Sequence, residues 1–447
     1  MPLILGAQSA VATGFTVDNS CRFNIADRHY MHRTQTAGDR KTFTLSFWVK
    51  RSNVVDEQTF FSISNGASYM QLKFNASEYL EYNDGPSTIR FITSRVFRDP
   101  GAWMHICIKY DSTESVEADR WNLFINGTQE TAFSTATYPG LNTDSQVNIT
   151  SGVLRVGIDQ SAVAGDYGGY LAEVVLTDGT AYEASDFGEF DEDSPTIWKP
   201  KKVSGLTFGT NGFYLNFQDS ADFGSDVSGE GNDLTDVNLA AVDQCTDTST
   251  NNFCTGNPLS KYSGVVLSNG NTTITKDSGW QSCMGTFGMD ASKWYWEQKC
   301  VTTYANAGIT MSKQDGTSHS AVDATRIMYS SDGNVYNGQG STTATGTTFT
   351  TGDIISVALD CAGDTIKFYK NDVLIHTETE SVISDNQWSP AWGMHLGSWD
   401  TNFGNGYFGT TAVSSANADD AGIGAFEYAP PTGYYALCTK NIKAYGG

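Results

Sequence analysis

An all-β protein of two sandwich domains is what this sequence predicts, on three observations. Gly, Asn, Thr and Ser are plentiful beside 24 Phe, 21 Tyr and 10 Trp, a mixture suited to pleated surfaces joined by tight turns. Extended runs with a two-residue apolar period recur along most of the chain, while no run of similar length carries a 3.6-residue period. The 447 residues exceed what one ordinary hydrophobic core organises, so two large domains follow.

The first clear strand is TFTLSFWVKR, in which Phe43, Leu45, Phe47 and Val49 share one side and Thr, Ser and Trp48 the other. The same style recurs at 59–63, 69–74, 103–110, 121–125, 154–158 and 170–176. Asn126-Gly127 separates WNLFI from TQETAF and predicts a two-residue hairpin, because both residues tolerate positive φ. From 200 to 262 the pattern loosens into Lys199, Lys201 and Lys202, then GTNGFYLNF, then a polar stretch over 218–252. This reads as an irregular connector, although Phe213, Leu215 and Phe217 alternate well enough to pack as a strand. Strand patterning resumes from Val265 to Thr410. Near the end, Gly433-Tyr434-Tyr435 echoes Gly212-Phe213-Tyr214 and suggests a recurring strand that seals each domain. The expected organisation is an arm over 1–14, a sandwich over 15–200, a connector over 201–262, a second sandwich over 263–412 and a closing segment over 413–447 that packs on the sandwiches.

Charge narrows the functions. Fifty Asp and Glu against 27 Lys and Arg give a net charge of −23, which repels phosphate backbones and anionic lipid, so no nucleic acid is expected as a partner. It also suits solubility at high local copy number. The opening MPLILGAQSAVATG has no basic stretch and an apolar run too short for a secretion signal, and no segment approaches the ~20 apolar residues of a spanning helix, so no membrane insertion is expected. The eight cysteines are far apart, with no CxxC or Cys/His zinc spacing. Free buried thiols are expected. Cys245 and Cys254 are the one pair placed to close a short loop, against which stands the rarity of disulfides in a reducing cytoplasm.

Four stretches of the first half, FTLSFWVKR at Phe43, AWMHICIKYD at Ala102, RWNLFINGT at Arg120, and LRVGID followed by GGYLAEVVLTDGTAY, together resemble a concanavalin A-like, laminin-G-type jelly roll. KWYWEQKC at Lys293, AGITMS at Ala307, TGDIISVALDCAGDTIKFYKNDVLI at Thr351 and TNFGNGYF at Thr401 resemble a SPRY domain, another concanavalin-like sandwich. Asp372 departs from the glycine that family commonly has after the asparagine, which makes its hairpin turn less comfortable. The junction from Phe223 to Ser260 and the ending from Gly424 to Ile442 resemble segments of marine bacteriophage proteins. That resemblance, and nothing in composition or periodicity, implies a virion protein assembled in the host cytoplasm and exposed outside the cell.

A hydrolase on such a fold needs carboxylates alternating on one strand face, and Glu189-Phe190-Asp191-Glu192-Asp193 leads straight into Ser194-Pro195 as a solvated acidic turn. Gly404 to Gly409 matches GxGxxG by spacing but has no following helix to hold a pyrophosphate. His29 and His32 stand at a metal-binding spacing in a polar setting. Concanavalin-like sandwiches often hold calcium at a loop rim; here Asp222, Asp226, Asn232 and Asp233, in a glycine-rich loop, are the candidate ligands, with a hydrogen-bonded Asx loop as the alternative. A sugar site would use an exposed aromatic face with amides nearby, and Trp388, Trp392, Trp399 and Asn402 are the candidates, with Trp280 and Trp294 close to the first strands of the same domain. Core packing is the competing explanation for each tryptophan.

The expectation is therefore a non-enzymatic virion structural protein, a tail fibre, spike or capsid-decoration subunit, whose lectin-like domains bind host-surface glycan or protein. Its partners would be other virion proteins and a host receptor. A purely architectural decoration protein is the alternative, and a glycan depolymerase the third reading. Neither collagen repeats nor heptads fix an oligomer, so a homo-oligomer is left open.

Overall fold

Strand Gly169–Asp178 is buried at all ten positions, and the first half of the chain is arranged around it. The computed structural model describes residues 14–446 except 55, 67, 86–87, 160, 162–164, 277–278, 280, 303–304, 312–324 and 338–341. Residues 1–13 of the expected arm over 1–14, and Trp280, fall outside them. Two compact units result, one ending at Thr250 and the other beginning at Asn251.

Among the described residues the first unit has two eight-stranded antiparallel sheets. The first runs Thr128–Glu130, Trp121–Ile125, Met104–Asp111, Thr42–Arg51, Gly169–Asp178, Ser20–Phe23, Gln244–Cys245, with Phe213–Leu215 added alongside Gly169–Asp178. Phe43, Leu45, Phe47 and Val49 enter the core between the sheets, as their alternation predicts. Trp48, on the opposite side, is also buried, in a second cluster with Trp103, Tyr170, Phe187, Trp198 and Phe208. The sheet is thus covered on both faces, and the outer cover is supplied by chain beyond residue 180. Each fully buried side chain of the size of Phe208 contributes roughly 1.5–3 kcal/mol. The Asn126-Gly127 turn forms with φ of 49° and 71°, pairing Ile125 with Thr128.

The segment expected to be a connector is divided between the units. Phe213–Leu215 pairs with Gly169–Asp178, Thr235–Val237 with Tyr30–Thr34 and Gln244–Cys245 with Ser20–Phe23. Buried ion pairs fix its end: Asp247 accepts from Lys50 Nζ at 2.6 Å and from Trp103 Nε1 at 2.8 Å, and Arg22 meets Asp243 at 3.2 Å. These strands are two or three residues long, too short for periodicity to reveal.

The second unit pairs a seven-stranded with an eight-stranded sheet among the described residues. Lys293–Cys300 lies near the middle of the larger one, and Tyr435–Ala436 pairs beside it in parallel. Both aromatic-rich motifs that echo each other in the sequence therefore place a short strand next to a central one, each in its own unit. Glu297 holds the closing segment down. Fully buried, it accepts from Tyr428 N at 2.8 Å, Glu427 N at 2.9 Å, Tyr295 Oη at 3.1 Å and Asn402 Nδ2 at 3.1 Å. Asp419 does the same for the end of the chain, accepting from Ala436 N and Asn441 Nδ2 at 2.7 Å each. Asn371 and Asp372 form a two-residue turn at φ 47° and 70° between Lys370 and Val373.

Two outcomes follow from this packing. Glu297→Gln turns an amide donor toward donors, and calorimetry should show the second unit destabilised by roughly 2–4 kcal/mol, with proteolytic cutting appearing within 413–446. Asp372→Gly relieves a left-handed conformation that costs a non-glycine residue more than the extra chain entropy glycine brings, and urea unfolding should show a gain of about 0.5–1 kcal/mol.

Candidate functional site

The sugar-site candidates Trp388, Trp392, Trp399 and Asn402 are placed in the interior. Trp388 and Trp392 stand on Trp388–Met394 and Trp399 on Gly397–Asn402, all fully buried. Trp388 Nε1 donates to the Ile383 carbonyl and Trp392 Nε1 to Thr401 Oγ1, both at 2.9 Å. Trp294 is buried in the same core. Asn402 is a structural clip: its amide spans Glu297 and the Ala425 carbonyl, and its Oδ1 accepts from Gly404 N and Gly406 N. The GxGxxG spacing is thus part of a bulged turn. Trp388, Trp392 and Trp399 therefore form no exposed platform, because Gly- and Ser-rich sequence here forms core strands whose small residues make room for the rings.

The calcium candidates do not converge either. Asp226 Oδ1 accepts from Tyr214 N and Ser228 N, and its Oδ2 from Asn232 N and Ser228 Oγ. Asp233 Oδ1 accepts from Asp226 N, and Asn232 turns its amide hydrogens to the Thr210 and Gly212 carbonyls. Asp222 is exposed. This is the Asx-type loop, its oxygens spent on backbone N–H groups. No group of three metal-ligating side chains occurs among the described residues. All eight cysteines, Cys245 and Cys254 included, are buried free thiols. His29 is buried ahead of Tyr30–Thr34 and His32 lies on that strand, so the helical spacing is not realised. Asp191 accepts from Asp193 N and Ser194 N and pairs with Lys199 at 3.5 Å, as a turn would.

One arrangement resembles a nucleophile and its base. Ser46 Oγ lies 2.8 Å from His105 Nε2, both buried. Trp198 Nε1 can only donate, and it reaches His105 Nδ1 at 3.2 Å, so Nδ1 is unprotonated and Nε2–H points at the serine. Burial pushes the imidazole down to about 3. A ring that donates to the hydroxyl cannot take its proton.

A different site emerges on the outer face of the first sheet, where a cleft of about 500 Å³ opens between Phe15–Asn19, the 202–208 stretch and the 214–218 stretch. Glu173 forms its floor. By strict alternation from Leu171, which faces the core, this carboxylate would point between the sheets. A register shift between Ala172 and Val175 prevents that: Glu173 takes φ 50° as the extra residue of a β-bulge, and the phase resets so that Val174 and Leu176 face the core while Val175 faces out. Glu173 remains only 5% exposed. Tyr214 Oη donates to its Oε2 at 2.5 Å, and burial together with this carboxylate raises the phenol, which stays a donor. Burial, assisted by the charge of Asp18, lifts the Glu173 carboxyl to about 7 against the Tyr214 bond. Glu297 is lifted to about 7 by the same cause but is surrounded by four donors; Glu173 has one and an open cleft. Nothing in the sequence marked Glu173 except its being the lone carboxylate in the apolar run LAEVVL.

With this geometry in hand, comparisons locate the two sandwiches among known domains. Residues 26–183 match the concanavalin A-like lectin/glucanases superfamily, and residues 293–406 match the SPRY domain. Among solved structures, the SPRY domain of human HERC1 is 19% identical, with 33% of this chain and 96% of that chain covered and a TM-score of 0.29. The TRIM65 PSpry domain is 14% identical over 33% and 89%, with a TM-score of 0.29, and stonustoxin 20% identical over 33% and 27%, with a TM-score of 0.27. No curated protein sequence matches the chain. A concanavalin A-like sandwich followed by a SPRY domain is an all-β architecture that fits a binding role. No helix among the described residues is long and apolar enough to cross a membrane.

Glu173 gives this unit a pH signature. A carboxyl raised in the fold stabilises below its unfolded range near 4.5 and loses that contribution as pH rises through about 7. Glu173→Gln, which keeps an acceptor for Tyr214, should therefore be more stable than the parent at pH 8, by on the order of 3 kcal/mol at most, and nearly equal to it at pH 5, as read by thermal unfolding across that range.

Proposed function

We propose that this protein binds a glycan on a host cell surface without making or breaking bonds, as an exposed structural subunit of a phage particle, and that the ligand enters the cleft above Glu173. The observation that carries the binding reading is the cleft itself: an open, half-apolar space whose floor is a buried carboxylate held on a strained bulge. Strain and a poorly compensated charge at one position cost stability, and such costs persist where a ligand uses them. Both sandwiches belong to domain types that fit binding. The virion setting is supported by the phage-like stretches 223–260 and 424–442 and by a net charge of −23 suited to dense display, with other virion proteins as neighbours. No metal has a part in this reading, since the acidic loop spends its oxygens on its own backbone.

The test is retention and turnover together. Immobilised envelope polysaccharide from host cells should retain the pure protein equally with and without a calcium chelator, and no new reducing ends should appear. Released oligosaccharide would replace this reading with a depolymerase. Failure to bind any envelope fraction, with the chain found at capsid stoichiometry in a reconstruction of the particle, would replace it with a purely architectural one.

A further inference from the structure

The hydrogen-bonding valence of the cleft restricts what can occupy it. Several side-chain donors in its walls are already committed to wall acceptors: Thr16 Oγ1 to Asp18 Oδ1 at 3.3 Å, Asn216 Nδ2 to Gln218 Oε1 at 3.2 Å, Ser228 Oγ to Asp226 Oδ2 at 2.8 Å, and Tyr214 Oη to Glu173 Oε2. Above about pH 7, where Glu173 is ionised, the floor presents an acceptor, the Glu173 carboxylate, with Asp18 as a second carboxylate on the wall; Asn19, Ser204 and Gln218 also line the cleft, and the exposed Lys202 stands at the rim. An anionic occupant would set acceptor against acceptor and charge against like charge. On the apolar part of the lining, Phe15, Leu206 and Phe208 offer a surface for a ring face. Of the lining residues only Glu173 lies within the stretch 26–183 that matches the superfamily, so the cleft is built by this chain's own additions to the sandwich.

Resting on the reading of the cleft as the binding site, we propose that it takes a neutral sugar ring, whose hydroxyls donate to Glu173 and whose apolar face lies against Phe15, Leu206 and Phe208. Selection follows from the valence: donor-rich neutral rings are accepted, and uronic or other acidic sugars are rejected.

The experiment is saturation-transfer NMR and titration calorimetry on the full chain at pH 8, where Glu173 is ionised, with three probes: neutral methyl hexopyranosides, glucuronate and glucosamine. At least one neutral methyl hexopyranoside should bind in the millimolar range, glucuronate at least ten-fold more weakly, and Glu173→Gln should weaken the neutral probe at least ten-fold. Phe15→Ala, at the wall and away from the strand core, should weaken it several-fold and guards against a folding artefact in the first variant. Binding by glucosamine alone would overturn the neutral class in favour of charge pairing, and preferred binding of glucuronate would overturn the valence argument. A Glu173→Gln protein that binds as the parent does, or a parent that binds none of the probes, would overturn the cleft assignment. If envelope polysaccharide still retained that parent, glycan binding would stand and only this site would fall. If neutral sugars titrated into the cleft while no envelope fraction was retained, the site would stand and the host-binding reading would fall.

Discussion

Covering both faces of a sheet is the requirement on which the first unit rests. A strand such as Gly169–Asp178, buried at every position, needs apolar or satisfied partners above and below. The facing sheet supplies one side through Phe61, Ile63, Leu72 and their neighbours. The other side, carrying Trp48, Trp103 and Tyr170, is covered by later chain that contributes Phe187, Trp198 and Phe208. The chain therefore has to return to the first sandwich well after its last long strand, and it does so until Thr250. The second unit solves the same problem with its end, where Tyr435–Ala436 lies beside Lys293–Cys300 and Glu297 and Asp419 collect the closing backbone.

How much of this could be read in advance depended on element length and on which face was asked about. Thr42–Arg51 and its paired neighbour Met104–Asp111 have enough residues for alternation to declare them, and Asn126-Gly127 declares its own turn. The short strands at Phe213–Leu215, Thr235–Val237 and Gln244–Cys245 carry no period, and their polar surroundings imitate a linker. Trp388, Trp392 and Trp399 misled for the opposite reason. Glycine and serine around them suggest loops, yet in Trp388–Met394 and Gly397–Asn402 those small residues flank large rings inside the core. The cleft was not legible, because its walls come from segments as far apart in the chain as 15–19 and 202–228, and because a bulge is invisible to a reading that counts strict alternation. The calcium candidates show the limit of composition: an acidic, glycine-rich loop is written the same way whether its oxygens face a cation or its own backbone.

Glu173 and Glu297 make the contrast between structural and functional charge concrete. Burial lifts both carboxyls to about 7, so the shift alone does not separate them. Their surroundings do. Four donors converge on Glu297, two of them backbone N–H groups of the segment it retains, and removing the charge there leaves donors facing donors. Glu173 meets one phenol and a cavity. A buried carboxylate whose partners are complete holds a fold together, and one whose partners are incomplete destabilises the fold unless something else arrives.

The position of the bulge strengthens the second case. Without the extra residue, alternation would direct the Glu173 carboxylate between the sheets, among Phe47, Leu171 and Leu215, where a charge has no compensation. An apolar residue at 173 would remove both the charge and the need for the left-handed φ. Instead the strand accepts a non-glycine residue at φ 50° and keeps the carboxylate on the outer face, under walls that stretches 15–19 and 202–228 add to the sandwich. Core packing gains nothing from this arrangement. The sandwich supplies a rigid floor, the covering segments stop short of closing over it, and the chemistry left open there belongs to the additions this chain makes to its fold.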